Sequence, residues 1–198
     1  FVNGATVDVG GSPCTSVVFN SATSLTCSTP SGTAGAVDVT VTNPDLQSAS
    51  KVSGFTYVDA PGTPGTPTAT SGSSSATVVW TAPTTGGTPT SYTVTSSPAG
   101  GTCTVTGLSA SCTGLTNGTA YTFSVTATNA GGTSSSSGAS NSVTPLPAPT
   151  VTTVAPSSGP LTAGTSITIT GTNFVNGATV DVGGSPCTSV VFNSATSL

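Results

Sequence analysis

The first 25 residues, Phe1 to Leu25, recur without a single change as Phe174 to Leu198, at an offset of 173 residues. Shared folding alone would leave solvent-facing positions free to drift, so identity at every position marks duplicated sequence, and a fixed period is the signature of repeat architectures. The recurrence predicts a chain made of one 173-residue period plus an overlap, a window on a longer tandem array.

Strand signals are dense along the chain and helix signals absent. In Ala120 to Thr128, Tyr121, Phe123, Val125 and Ala127 alternate with Thr122, Ser124, Thr126 and Thr128, a period of two with one face for the core and one for water. Ala36 to Thr42, Ser91 to Thr95 and Ser166 to Thr170 alternate in the same way between clusters of Gly, Pro, Asn and Ser. Short strands at this spacing predict an all-β chain of immunoglobulin-like sandwiches. Two proline-rich stretches, Asp59 to Pro67 and Pro145 to Pro149, cannot pair in a central strand and favour extended, semi-rigid connections. They divide the chain into segments 1–59, 60–146 and 147–198.

Composition removes most reaction classes. The chain holds five Asp, no Glu, one Lys, no Arg and no His. Acid–base chemistry would have to come from Asp8, Asp38, Asp45, Asp59, Asp181 and Lys51 alone. A Ser-His-Asp triad and a Cys-His pair cannot be written, and no CxxC spacing offers a zinc site. The reading is therefore that the chain is not an enzyme and needs no cofactor. A net charge of −4 with a single Lys lacks the positive footprint of a nucleic-acid binder. No apolar run approaches the roughly 20 residues that a membrane-spanning helix needs.

Within residues 60–146, Trp80 closes the run Ala76-Thr-Val-Val-Trp80, and Leu115-Thr-Asn-Gly-Thr-Ala-Tyr121 follows. This segment resembles a fibronectin type III domain. The resemblance implies that Trp80 is the core tryptophan of the second strand and that Leu115 and Tyr121 build a tyrosine corner, with Asn117 standing where the family usually has Pro. Read in the order 147–173 followed by 1–59, the remainder is similar to an IPT/TIG domain. Pro156 to Thr165 and Ile167 to Phe174 look like its opening, and Val9 to Cys14, Cys27 to Pro30 and Gly54 to Tyr57 like its middle and end. The chain thus holds the C-terminal part of one TIG-like domain in 1–59 and the N-terminal part of the next in 147–198. The combination resembles that of a bacterial-type extracellular repeat protein.

Cys14 with Cys27 and Cys103 with Cys112 form two short-range pairs, one per domain type. Both are predicted to be disulfides, each closing a small loop worth about 3 kcal/mol in the chain-entropy model, with buried free thiols as the alternative. Disulfides imply an oxidising, extracellular setting. Cys187 is the copy of Cys14, and the same offset puts its partner two positions beyond Leu198. Truncation of an intradomain pair is the plainer account of the odd cysteine.

Other features carry less. Calcium needs six to eight oxygens, and no Asp-x-Asp-x-Asp run occurs, so Asp45 and Asp59 read as turn residues and no metal site is expected. Asn117-Gly-Thr119 satisfies the N-glycosylation pattern and also reads as a turn. Trp80, Tyr92, Tyr121 and Tyr57 fall at inward or family core positions, which favours packing over a sugar platform.

The function expected is a structural repeat of a cell-surface filament, sheath or adhesin stalk. Its partners would be other copies of itself, in tandem and side by side, and surface glycans. The alternative is a spacer or carbohydrate-binding accessory region of a large secreted hydrolase.

Overall fold

The computed structural model describes residues 1–162 and 164–198. Ala163, in the stretch Pro156 to Thr165 singled out above, lies outside the described residues. Among the described residues every regular element is a strand, as the short alternating runs between Gly, Pro and Ser clusters lead one to expect.

The first segment supplies β1 (Thr6–Val9), β2 (Ser12–Pro13), β3 (Thr15–Ser21), β4 (Ser24–Ser28), β5 (Gly35–Thr42) and β6 (Ser48–Tyr57). They form a four-stranded antiparallel sheet in the order β2-β1-β5-β6 and a β3-β4 hairpin. Gly10 and Gly11 link β1 to β2 with φ of 62° and 78°, the positive values that both central residues of a two-residue hairpin turn require. A bulge between Val37 and Val39 breaks the β5–β6 ladder. There the Ser53 N–H donates to Asp38 Oδ1 at 2.9 Å.

The central segment supplies β7 (Thr68–Gly72), β8 (Ser75–Val79), β9 (Ser91–Ser97), β10 (Thr102–Thr106), β11 (Ser109–Thr113), β12 (Thr122–Asn129) and β13 (Gly132–Thr133). One sheet runs β10-β11-β8-β7 and the other β13-β12-β9, the four-plus-three division of an immunoglobulin-like sandwich. Ala76, Val78, Ala110 and Cys112 from the first sheet, and Phe123 and Val125 from β12, are buried.

Beyond β13 the chain changes period. Ser137, Ser140 and Val143 are buried, one residue in three, which is the repeat of polyproline II and not of a strand. Serine hydroxyls reconcile the two periods. The Ala127 N–H donates to Ser134 Oγ at 3.0 Å and the Ser134 N–H returns to the Ala127 carbonyl at 2.8 Å. Likewise the Phe123 N–H donates to Ser140 Oγ at 3.0 Å and the Ser140 N–H to the Phe123 carbonyl at 2.8 Å. On the other sheet, Asn141 Oδ1 accepts the Ala69 N–H at 2.9 Å and its Nδ2 donates to the Ala69 carbonyl at 3.0 Å. One amide side chain thus stands in for a neighbouring strand.

The last segment supplies β14 (Thr150–Ala155), β15 (Thr168–Thr172), β16 (Asp181–Val182) and β17 (Ser185–Pro186), paired β14-β15 and β16-β17. By backbone proximity the chain parts into two compact units, one of residues 1–65, 82–93 and 126–137 and one of 66–81, 94–125 and 138–198. In the first unit the loops at 85–88 and 129–131 travel with residues 58–62, for reasons given below.

Candidate assembly surface

No cluster of three or more Cys or Asp side chains that could hold a metal comes together among the described residues. The chemistry-poor sequence directs attention to surfaces instead, and above all to the duplicated segment, which is found in two surroundings.

What the segment encodes locally is the same in both copies. Asp8 and Val9 pair with Pro13 and Ser12, and Asp181 and Val182 pair with Pro186 and Ser185. The Cys14 N–H donates to the Val7 carbonyl and the Cys187 N–H to the Val180 carbonyl, each at 2.8 Å. Burial differs sharply. Val9 is 4% exposed and its copy Val182 58%, whereas Phe1 is 44% exposed and its copy Phe174 only 6%. Val9 lies on β1 against β5, a partner that Val182 lacks here. Phe174 follows β15 and packs at Gly171, where an added Cβ would meet the Phe174 ring at 2.6 Å. Each copy therefore has the half of the core that the other is missing.

The second copy also pairs with β15. Ile169 and Leu198 exchange both backbone bonds, N–H to carbonyl, at 3.0 Å each, and the Gly171 N–H donates to the Thr196 carbonyl at 3.0 Å. Residues 195–198 thus run antiparallel along the free edge of β15. Their identical counterparts, Ala22 to Leu25, lead into β4, where Ser24 pairs back to Ser21. Because successive residues of a strand direct their backbone groups to opposite edges, Leu25 offers its N–H and carbonyl to the edge that Leu198 uses.

Both segments present apolar clefts. One of about 320 Å³ is lined by Phe1, Val7, Leu25, Cys27, Val39 and Val41. The other, of about 380 Å³, is lined by Leu146, Val151, Ile169, Phe174, Val180 and Leu198 among others. Val18, Val52, Val151 and Val191 add to the apolar surface exposed by the two halves.

Cys14 and Cys27 are joined as a disulfide with Cα atoms 5.9 Å apart, and Cys103 and Cys112 as another. The second pair stands directly opposite on β10 and β11, with Cys112 fully buried. Cys187 is a free, half-buried thiol.

Trp80 follows β8 directly, is buried, and donates its backbone N–H to the Leu108 carbonyl at 3.1 Å. Leu115 and Tyr121 are buried, and the Tyr121 hydroxyl accepts the Thr116 N–H at 3.2 Å, closing the corner. Asn117 anchors the same turn to the β7–β8 connection: its Oδ1 accepts the Ser74 N–H at 2.9 Å and its Nδ2 donates to Ser74 Oγ at 3.0 Å. That bond uses one of the two hydrogens on the nitrogen a glycan would modify. Tyr121→Phe and Asn117→Ala are each expected to lower stability by about 1–2 kcal/mol, because each removes the partner of a backbone N–H. Urea unfolding followed by Trp80 fluorescence measures both, and a shift under about 0.3 kcal/mol for either would mean that the corner bears no weight.

Tyr57 and Tyr92 are only half-buried; Tyr57 donates its hydroxyl to the Pro30 carbonyl at 2.7 Å and packs edge-on against Phe55. Asp45 Oδ1 accepts the Gln47 N–H at 3.1 Å, as a turn residue does.

The proline-rich stretches are more than spacers. Pro61, Pro64 and Pro67 are all buried, again one residue in three. Asn129 Nδ2 donates to the Asp59 carbonyl at 2.8 Å and to the Thr88 carbonyl at 3.3 Å, while its Oδ1 accepts the Gly131 N–H at 2.8 Å. The Gly62 N–H donates to the Thr85 carbonyl at 2.9 Å and the Gly87 N–H to the Ala60 carbonyl at 3.1 Å. Gly131 has no room for a side chain: a Cβ would collide with the Val58 carbonyl oxygen and lie 2.8 Å from the Ala60 nitrogen. At the second stretch, the Gly118 N–H donates to the Pro145 carbonyl at 2.8 Å and the Ala148 N–H to Ser73 Oγ at 3.1 Å. Nothing in the sequence alone singles out Asn129, Gly87 or Gly131.

The IPT/TIG domain family matches residues 1–57 and 149–198, and the fibronectin type III domain family matches residues 60–143. The chain belongs to the IPT/TIG family. A fibronectin type III domain stands between its two TIG segments. Both are immunoglobulin-like, non-catalytic structural modules, typical of structural, extracellular or adhesion-type proteins, and their disulfides suit an extracellular or surface setting. No curated protein matches the chain. Among solved structures, the chain is similar to a crystal structure of titin domains (22% identity, TM-score 0.46, covering 71% of this chain and 53% of that one). It is also similar to titin kinase with its flanking domains (23%, 0.36, 43% and 17%) and to the FN1–FN3 domains of chicken CNTN1 (22%, 0.35, 59% and 43%). The chain thus spans about half the length of the titin structure.

Proposed function

We propose that this TIG–fibronectin chain is the structural repeat of an extracellular filament, sheath or adhesin stalk, and that its work is mechanical. The observation that carries this reading is the duplicated segment, identical at an offset of 173 residues, which fits a chain of copies joined end to end. Stability in such an array is spread over neighbouring units. Connections held by hydrogen bonds and buried prolines favour stiff joints over free ones.

A net charge of −4 over 198 residues leaves little repulsion between neighbouring rods. The serine bonds along β12 and the Asn141 bracket on Ala69 occupy backbone groups that an incoming strand would otherwise pair with. Side-by-side packing then falls to the exposed Thr- and Ser-rich faces.

Negative-stain microscopy of the native fibre tests this. We expect bundled, beaded rods whose bundling changes little between low salt and about 1 M, since few charges are present to be screened. Isolated, freely bending threads would overturn the bundle, and a parent reading frame with a single copy would overturn the array.

A further inference from the structure

We propose that the Asn3-Gly4 turn and its copy Asn176-Gly177 are sites of spontaneous covalent modification, at which the asparagine amide closes to a succinimide and opens to aspartate and isoaspartate. The third Asn-Gly turn, Asn117-Gly118, is held against the same reaction.

The three turns share one backbone form. The Ala5 N–H donates to the Val2 carbonyl at 3.1 Å, the Ala178 N–H to the Val175 carbonyl at 3.1 Å and the Thr119 N–H to the Thr116 carbonyl at 3.3 Å. Gly4, Gly177 and Gly118 have φ of 88°, 86° and 81°, as the third residue of a type II turn requires. Their surroundings differ. At Asn117 the side-chain oxygen and nitrogen are both bonded to Ser74, and the Gly118 nitrogen, which would have to attack, donates to the Pro145 carbonyl at 2.8 Å. Among the described residues, the Asn3 and Asn176 side chains and the Gly4 and Gly177 nitrogens make no hydrogen bond. All four residues are exposed. Asn3 stands with β5 and β6 in place and Asn176 with β14 and β15 in place, and neither set covers the turn.

Water is the only co-reactant needed. The Gly4 nitrogen gives its proton to solvent and bonds to Asn3 Cγ; the Cγ–Nδ2 bond breaks, and the nitrogen takes up a proton and leaves as ammonia. Water then opens the ring at either carbonyl, giving aspartate at one and isoaspartate at the other. Isoaspartate lengthens the main chain by a carbon just ahead of β1. Either product puts a carboxylate in place of a neutral amide, in a chain of net charge −4 with a single Lys, and a new charge changes what a surface attracts and repels. In the array proposed above an open turn falls in every period, so an ageing fibre gains a charge per repeat and its bundles become sensitive to salt. That consequence rests on the structural-repeat reading; the chemistry does not.

The test ages the 198-residue chain in neutral buffer and follows the three asparagines by peptide mass spectrometry that separates aspartate from isoaspartate. Asn3 and Asn176 should convert at least about tenfold faster than Asn117, whose bonds must open before it can react. In urea the three rates should converge. Ser74→Ala, with Trp80 fluorescence to confirm the fold, should speed Asn117 about fivefold and leave the other two unchanged. Folded-chain rates that are equal at Asn3 and Asn117 overturn the proposal, as do Asn3 and Asn176 amides that persist while the urea-unfolded chain converts. An Asn117 rate that Ser74→Ala does not move overturns the protection assigned to that contact. A parent reading frame with a single copy would strike the array and leave these rates as they stand.

Discussion

Replacing Phe123 by Ala is expected to destabilise the fibronectin domain by about 3–5 kcal/mol, the range for truncating a large buried aromatic. The ring is 1% exposed, on the strand that feeds most of its inward side chains to the core. Val125 and Ala127 beside it are fully buried, so little could move to fill the space. Against a total stability of about 5–15 kcal/mol for a domain, a loss of that size would leave part of the population unfolded at physiological temperature. Urea unfolding read by Trp80 is the measurement, with Thr126→Ala on the wet face of the same strand as a control expected within about 0.5 kcal/mol of the parent. A loss below about 1 kcal/mol would mean that this core is not packed as described.

The second large effect concerns the joint. Gly131→Val is expected to expel the linker, since a Cβ there runs into the Val58 carbonyl and the Asp59–Ala60 peptide and backbone cannot yield as a flexible side chain would. Asn129→Ala should act in the same direction more gently, by withdrawing the donor from the Asp59 and Thr88 carbonyls. A clamp worth about 2 kcal/mol raises the open fraction roughly thirtyfold when lost. Protease cleavage between Val58 and Gly62 and hydrogen exchange at Gly62 and Gly87 report it. Cleavage unchanged in both variants would make the linker a plain spacer after all.

Much of the fold was legible in the sequence because its signals are local. The alternation of Tyr121 to Ala127 and the Leu115 to Tyr121 corner each sit within a few residues and need no distant partner. The duplicated segment demonstrates the limit directly. Its hairpin at 8–13 recurs at 181–186, while the burial of Phe1 and Phe174, which depends on β14 and β15, does not. Two features escaped for related reasons. Pro61, Pro64 and Pro67 and the serines from 134 to 140 face inward every third residue, a period without hydrophobic alternation, so composition reads them as linker and loop. Asn129 works through a partner 70 residues away, and nothing near it in the sequence announces that role. Asn117 gave two readings, turn and glycan acceptor, and only its contact with Ser74, 43 residues upstream, shows what occupies its amide.

The split TIG domain also bears on how an array of the proposed kind would be made. Synthesis delivers β14 and β15 before the strands that complete their sandwich, so the newest end of a nascent chain always trails an unfinished domain. The Leu198–Ile169 bonds can close the edge of β15 only after β16 and β17 have been made, so until then β14 and β15 would be a two-stranded ribbon with that edge open.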